Sequence, residues 1–318
     1  MQPSEPRRGR VRLGALLWTE RTSWPAFLQA AVAVDRAGFD SIWCSDHLFA
    51  ATGDPLDPCF EAWTALAAIA AATQRATVGL LVGAVALRNP GLVAKQAVTL
   101  DHVSGGRSVL GLGSGWLERE YTAHGLAWET SAAARVDRLA EAVTIIRRLL
   151  QGAVVDEMGA YYRFQEARHA PQPLQDSIPI LIGGEGRRKT LRVVAEHADM
   201  WNARGSVDAL READAALREH CAMIGRDPDA IERLTNRWVV VRATRDAAER
   251  ELSASLAGHG IQQYDEGIVA LGPAHQVAEH LNETMDAGFR HLVWSFRHPF
   301  DRLTIEAAAE VRAALDAG

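Results

Sequence analysis

Two glycine-rich turns and one acid–imidazole pair are the residues of this chain best suited to chemistry. Gly111-Leu112-Gly113-Ser114-Gly115-Trp116 follows the apolar run Ser108-Val109-Leu110 and precedes the charged stretch Leu117-Glu118-Arg119-Glu120. That order reads as strand, turn and helix start. Glycine lets backbone N–H groups approach a ligand closely, and a helix N-terminus favours negative charge. Gly113, Ser114 and Gly115 therefore make a candidate phosphate cradle. Pro179-Ile180-Leu181-Ile182 runs into a second such turn, Gly183-Gly184-Glu185-Gly186-Arg187. Neither turn alone specifies a ligand. The first lacks the G-x-G-x-x-G spacing of a dinucleotide fingerprint and the Lys-Ser/Thr of a P-loop, and glycine is the default turn residue. Together they fit a barrel whose loops converge on one ligand. Asp46-His47 is the third feature. A histidine titrates near neutrality and suits proton transfer beside a cofactor. The plainer alternative is an aspartate that caps a turn and a histidine that bonds backbone.

These residues need elements to place them. Apolar runs at 11–17, 41–44, 77–84, 108–113, 179–182, 199–202, 237–243 and 291–296 read as strands. Helical spacing fills 24–37, 58–73, 91–103, 132–150, 187–198, 207–224, 273–287 and 304–317. In the first part of the chain βα units recur at about 30-residue intervals, which means a parallel sheet with right-handed crossovers. Residues 152–173 read as an insertion with a short hairpin, and 258–272 as a loop that could serve as a lid. Eight βα units predict a single (β/α)8 TIM-type barrel over residues 11–318, with residues 1–10 as a loose tail.

A barrel carries its site at the strand C-termini. Those ends hold Trp18 and Glu20, Asp46 and His47, Val82 to Ala84, Ser114 to Trp116, Gly183 to Arg187, Trp201 and Asn202, and Trp294 to His298. The set contains no Ser-His-Asp arrangement, no close carboxylate pair and no histidine cluster for a metal. Lysine occurs only at Lys95 and Lys189, both in expected helices, so no strand end offers a Schiff base. Such a pocket suits a large flat ligand that supplies the hard chemistry itself.

Composition narrows the class further. The 318 residues carry a formal net charge of −6 and no long basic run, which argues against a nucleic-acid partner. No apolar stretch reaches membrane-spanning length. The three cysteines, Cys44, Cys59 and Cys221, show neither disulfide nor zinc spacing. The expectation is a cytoplasmic protein that binds a small molecule and no metal.

The chain resembles the luciferase-like monooxygenase superfamily, and within it the coenzyme F420-dependent oxidoreductases. The matching stretches are Ala37-Gly38-Phe39-Asp40-Ser41-Ile42-Trp43 with Asp46-His47, Glu61-Ala62-Trp63-Thr64, Ala71-Ala72-Thr73, Arg88-Asn89-Pro90, Ala94-Lys95 and Thr99-Leu100-Asp101. Ser104-Gly105-Gly106-Arg107, Gly111 to Trp116, Pro179 to Gly186, Thr190-Leu191-Arg192, Ala198 to Asn202 and Asp286-Ala287-Gly288-Phe289 continue the pattern. The resemblance implies a bacterial luciferase-like barrel, a homodimer, and a deazaflavin (FMN in some relatives) at the strand C-termini. It implies a catalytic set of His47, Asp46 and Trp116. Cofactor contacts would come from Asp46, Leu81, Val82, Gly83, Gly113, Ser114, Gly115, Gly183, Gly184, Glu185, Gly186 and Arg187. It also implies a non-proline cis peptide at Leu81–Val82, pressed against the ring. Two departures stand out. Related sugar-phosphate dehydrogenases carry Glu where this chain has Trp116, and Trp shortly after the Asp-His pair, where it has Phe49-Ala50-Ala51. A named general acid is thereby missing, and Trp116 suggests an apolar lid. Three readings follow: F420-dependent hydride transfer to or from a small organic substrate, an FMN-dependent monooxygenase using reduced flavin and O2, and a non-catalytic cofactor-binding protein. The basic run Arg187, Arg188, Lys189 and Arg192 would suit the anionic tail of F420.

Overall fold

Apolar residues alternate along the strands between a barrel interior and a surrounding layer of helices. A computed structural model describes residues 10–317; residues 1–9, most of the expected tail, lie outside the described residues. The barrel strands are β1 (Arg12–Leu17), β2 (Ser41–Cys44), β3 (Thr77–Leu80), β4 (Ser108–Gly113), β5 (Ile180–Gly183), β6 (Met200–Ala203), β7 (Glu232–Val241) and β8 (His291–Phe296). All pair in parallel in that order, and β8 returns to β1 with Arg12 opposite His291 and Leu17 opposite Phe296. The eight-stranded parallel barrel with covering helices is therefore a TIM-type fold. Along β1, Leu13, Ala15 and Leu17 pack outward against the helices. Leu16 joins Trp43, Val109, Leu181, Met200, Leu234 and Val293 in the interior.

Local signals place the elements around the site. Ser23 caps helix Trp24–Arg36, and Asn89 caps helix Pro90–Ser104, which ends at the left-handed Gly105. β3 stops at Leu80, the Leu81–Val82 peptide is cis, and Gly83–Ala84 then pairs with Leu112 and Gly113 of β4. The expected strand 77–84 is thus two pieces with a bulge between them, and the bulge lies where the resemblance put it. The insertion hairpin is present as Val155–Met158 against Arg163–Ala167.

Three expectations need correction. β7 begins at Glu232 rather than Arg237, because Glu232 and Arg233 find partners that make polar strand positions tolerable. Helix Arg245–Gly258 was not anticipated; it buries only Ala248 and Leu252, too few for a clear apolar period. The expected loop 258–272 ends in a strand, Val269–Gly272, that pairs with Trp238–Val241 on the upper part of β7.

The lower end of the barrel holds a closed polar chain. Trp43 Nε1 donates to Ser41 Oγ at 2.8 Å, Ser41 lies 2.7 Å from His291 Nε2, and His291 Nδ1 lies 2.8 Å from Glu232. Arg12 closes the chain on Glu232 at 2.8 and 2.9 Å. These are the distances of a serine-histidine-acid triad, but Ser41 and His291 are sealed from solvent at the strand N-termini. In this fold that end serves stability. No helix among the described residues is long and apolar enough to cross a membrane.

Candidate active site

A cavity of about 250 Å³ opens at the strand C-termini, lined by Trp18 after β1, Asp46 and His47 after β2, the Leu81–Val82 bulge, Gly113 to Trp116 after β4, Gly183 to Glu185 after β5, and Asn202 and Asn236. Leu16, Leu81 and Val82 give it an apolar floor. Most of the strand ends singled out by the sequence are thus brought together from distant parts of the chain, but Trp201 and Trp294 pack outward against the helices, and Glu20 and residues 295–298 lie outside this lining.

His47 stands between two indoles. The Trp18 ring is parallel to it, with centroids 6.3 Å apart, and Trp116 meets it edge-on at 5.6 Å. Its Nδ1 lies 3.1 and 3.2 Å from the two oxygens of Glu120. Glu120 sits in the short helix Glu118–Ala123, 2% exposed, and also accepts the amides of Leu48 at 2.6 Å and Phe49 at 3.3 Å. Burial works to raise the Glu120 pKa, but the His47 hydrogen bond and charge and the two amides outweigh it, and the carboxyl is held below its ordinary value. An ionised Glu120 fixes the Nδ1–H tautomer and leaves Nε2 as the ring nitrogen available to the cavity.

Asp46 is differently placed. Both of its oxygens accept from Arg88, at 2.7 and 3.0 Å, and its side chain has no exposed surface. Arg88 also donates to Glu61 at 2.7 Å, and Glu61 caps helix Ala62–Ala72. Burial pushes the Asp46 carboxyl above its usual range, against the pull of Arg88.

The glycines serve other side chains as much as a ligand. A Cβ on Gly113 would come within 2.6 Å of Val82, and one on Gly183 within 3.1 Å. Their missing side chains are what admit the Val82 isopropyl group into the floor. Gly115 has φ +79°, and a Cβ there would run into the hydroxyl of Tyr121. Gly184 and Gly186 close around Thr190, the first residue of helix Thr190–His197. Glu185 lines the cavity and accepts the Arg204 amide at 2.7 Å. Gly83 lies in the β3 extension with Gly111 O and Asp46 beside it, behind the cavity wall. Arg187 points elsewhere and pairs with Glu212, while Lys189 pairs with Asp137 at 2.7 Å and Arg192 with Glu196 at 3.6 Å. Arg187, Lys189 and Arg192 of the basic run are therefore spent on neighbouring acids on the protein surface.

Several site residues were not singled out from sequence. Glu120 was one of three charges in a helix start, and nothing in its spacing separates a buried acid from an exposed one. Arg88 and Asn236 meet their partners, Asp46 and Asn202, only once neighbouring strands have paired. Tyr121 lines the cavity with a buried hydroxyl that has no hydrogen-bond partner, and burial, with Glu120 nearby, pushes its pKa up. Among the described residues no group of His, Cys, Asp and Glu is arranged to hold a metal.

Residues 10–293 match the family model described as luciferase-like monooxygenase. The F420-dependent glucose-6-phosphate dehydrogenase of Nakamurella multipartita is 31% identical, covering 89% of this chain and 90% of its own. The enzyme of the same name from Microbacterium testaceum is 30% identical, covering 89% and 91%. Among solved structures, an F420-dependent secondary alcohol dehydrogenase in complex with an F420–acetone adduct superposes with a TM-score of 0.84 at 21% identity, over 96% of this chain and 99% of its own, which shows the shared fold. The chain belongs to the luciferase-like monooxygenase family and is an oxidoreductase.

Proposed function

We propose that this protein binds coenzyme F420 at the strand C-termini and transfers a hydride between it and a small organic substrate. The observation that carries the reading is His47, held through Nδ1 by a buried Glu120 above the apolar Leu16–Leu81–Val82 floor. The residues fit a flat ring. The floor has no charged atom, Gly113 and Gly183 draw the Val82 side chain flush with it, and Trp18 and Trp116 flank the edge. When bound, the deazaflavin supplies the carbon that accepts or donates the hydride.

The chain's own residues would do the rest. Leu81 and Val82 support the ring from below, and the Ser114 and Gly184 segments border it. His47 Nε2 takes a proton from a substrate hydroxyl, or returns it, while Glu120 stabilises the imidazolium. Trp116, 63% exposed, covers His47 from solvent when a ligand fills the cavity. Asp46 is a positioning residue on this reading, since Arg88 occupies both its oxygens. The two F420-dependent relatives support F420 over FMN; the surface basic run no longer does. Titration of the purified protein with oxidised F420 and with FMN, read by ring fluorescence, tests the reading. Tighter binding of F420 is expected. Tighter binding of FMN would move the protein to the flavin monooxygenases of the family.

A further inference from the structure

A second cavity, about 170 Å³, lies beside the first under helix Arg245–Gly258 and against the upper ends of β7 and β8. Val240, Leu252, Leu256, Ile261 and Phe296 make most of its wall apolar. One partition separates the two cavities. Trp18 lines the first and donates through Nε1 to Ser295 Oγ at 2.9 Å, while the Arg297 guanidinium lies over its ring at 3.7 Å. Ser295 and Arg297 line the second. Arg297 is nine-tenths buried, pairs with Glu20 and bonds Thr52 through the same nitrogen, yet its Nε is buried without a partner.

The charges around both cavities point one way. Arg204 and Arg297 are the arginines that line them, and both already face carboxylates, Glu185 and Glu20. His47 is bound to Glu120, and Asp46 to Arg88. Glu251 and Asp301 on the second cavity share Arg242. An anionic group on a substrate would meet no unpaired cation there and would lie among carboxylates. A neutral oxygen loses far less on leaving water.

Granted the oxidoreductase reading above, we infer that the second cavity is the specificity recess of the same site. It receives, past the Trp18 indole, the apolar body of an uncharged alcohol or carbonyl substrate. A sugar phosphate is the wrong charge for it.

The probes are anisylacetone, a linear ketone with a methoxyphenyl end, and its counterpart with a carboxylate in place of the methoxy group. Their binding to the purified protein is measured by calorimetry, so the readout does not depend on turnover. The ketone is expected to bind, and the carboxylate counterpart to bind about tenfold more weakly or worse. Ser255→Phe and Val240→Phe fill the recess and should weaken ketone binding by about tenfold or more, with F420 affinity unchanged. Thermal unfolding checks each variant, and Ser255→Leu replaces any that fails to fold. Equal or tighter binding of the carboxylate overturns the inference, as does wild-type ketone affinity in a folded, filled variant, or no ketone binding at all. If F420 fails to bind while the ketones follow the expected order, the cofactor reading falls and the recess stands.

Discussion

Replacing Glu120 by Gln should disable His47 while leaving the cavity its shape. Glu120 Oε1 takes three donors: the Leu48 amide at 2.6 Å, the Phe49 amide at 3.3 Å and His47 Nδ1 at 3.1 Å; Oε2 is also 3.2 Å from Nδ1. In the Glu120→Gln variant the side-chain oxygen must stay on the two backbone amides, because the NH2 group placed there would meet two N–H donors. The NH2 then also lies against His47 Nδ1, a donor facing a donor beside an oxygen already shared by two amides, and this favours the tautomer in which Nδ1 accepts. The proton moves to Nε2, and the nitrogen facing the cavity is no longer a base. A positioned general base contributes about 10²–10⁴-fold in rate, so turnover should fall by that order. Cofactor affinity should change far less, since Glu120 borders the cavity with only 2% of its surface exposed and its oxygens are taken by His47, Leu48 and Phe49. The fold should lose on the order of 1–3 kcal/mol, the scale of one charge-assisted hydrogen bond made neutral. The assay is single-turnover ring reduction by absorbance, beside a fluorescence titration of F420 and a urea melt. His47→Ala sets the floor for the rate. A Glu120→Gln protein that turns over like wild type, or that loses binding and rate in the same proportion, would refute the tautomer argument.

Gly115→Val should destabilise the protein, because φ +79° is strained for Val and its Cβ collides with the Tyr121 hydroxyl; Tyr121→Phe, which removes a buried unpartnered hydroxyl, should raise the melting temperature alone and restore part of the loss in the double variant. If the double variant melts no higher than Gly115→Val, the collision is not the cause. Acid should also weaken the fold through the lower polar chain. Burial, aided by Arg12, depresses the His291 pKa below 6.5, and His291 and Arg12 together hold Glu232 below its ordinary value against burial. Both groups bind more protons unfolded than folded, so their contribution is present above their unfolded pKa values. It is lost as pH falls, first for His291 below 6.5 and then for Glu232 below 4.5. Other histidines with depressed pKa values add to the slope, so the measurement is a difference: urea stability from neutral pH to mildly acidic pH should fall less steeply in His291→Asn than in wild type, and identical slopes would contradict this account.

The apolar strand runs and their spacing determined the barrel, since a parallel strand buried on both faces must be apolar throughout and can be read without its neighbours. They also placed Asp46, His47, Ser114 and Trp116 at one end, because every strand of such a barrel points the same way. Helix Arg245–Gly258 escaped because it packs with only two buried side chains, and the start of β7 because its polar residues are satisfied by partners such as Asp214 and Arg12, far away in the chain. What the site residues do was decided by contacts of that long-range kind. Arg88 takes the oxygens of Asp46, a Glu from a six-residue helix takes Nδ1 of His47, Glu212 takes Arg187, and Val82 and Tyr121 occupy the spaces that Gly113, Gly183 and Gly115 leave. A residue type states which bonds a side chain can make. Which one it makes depends on the nearest satisfied partner in space, and closing the barrel brings those partners together.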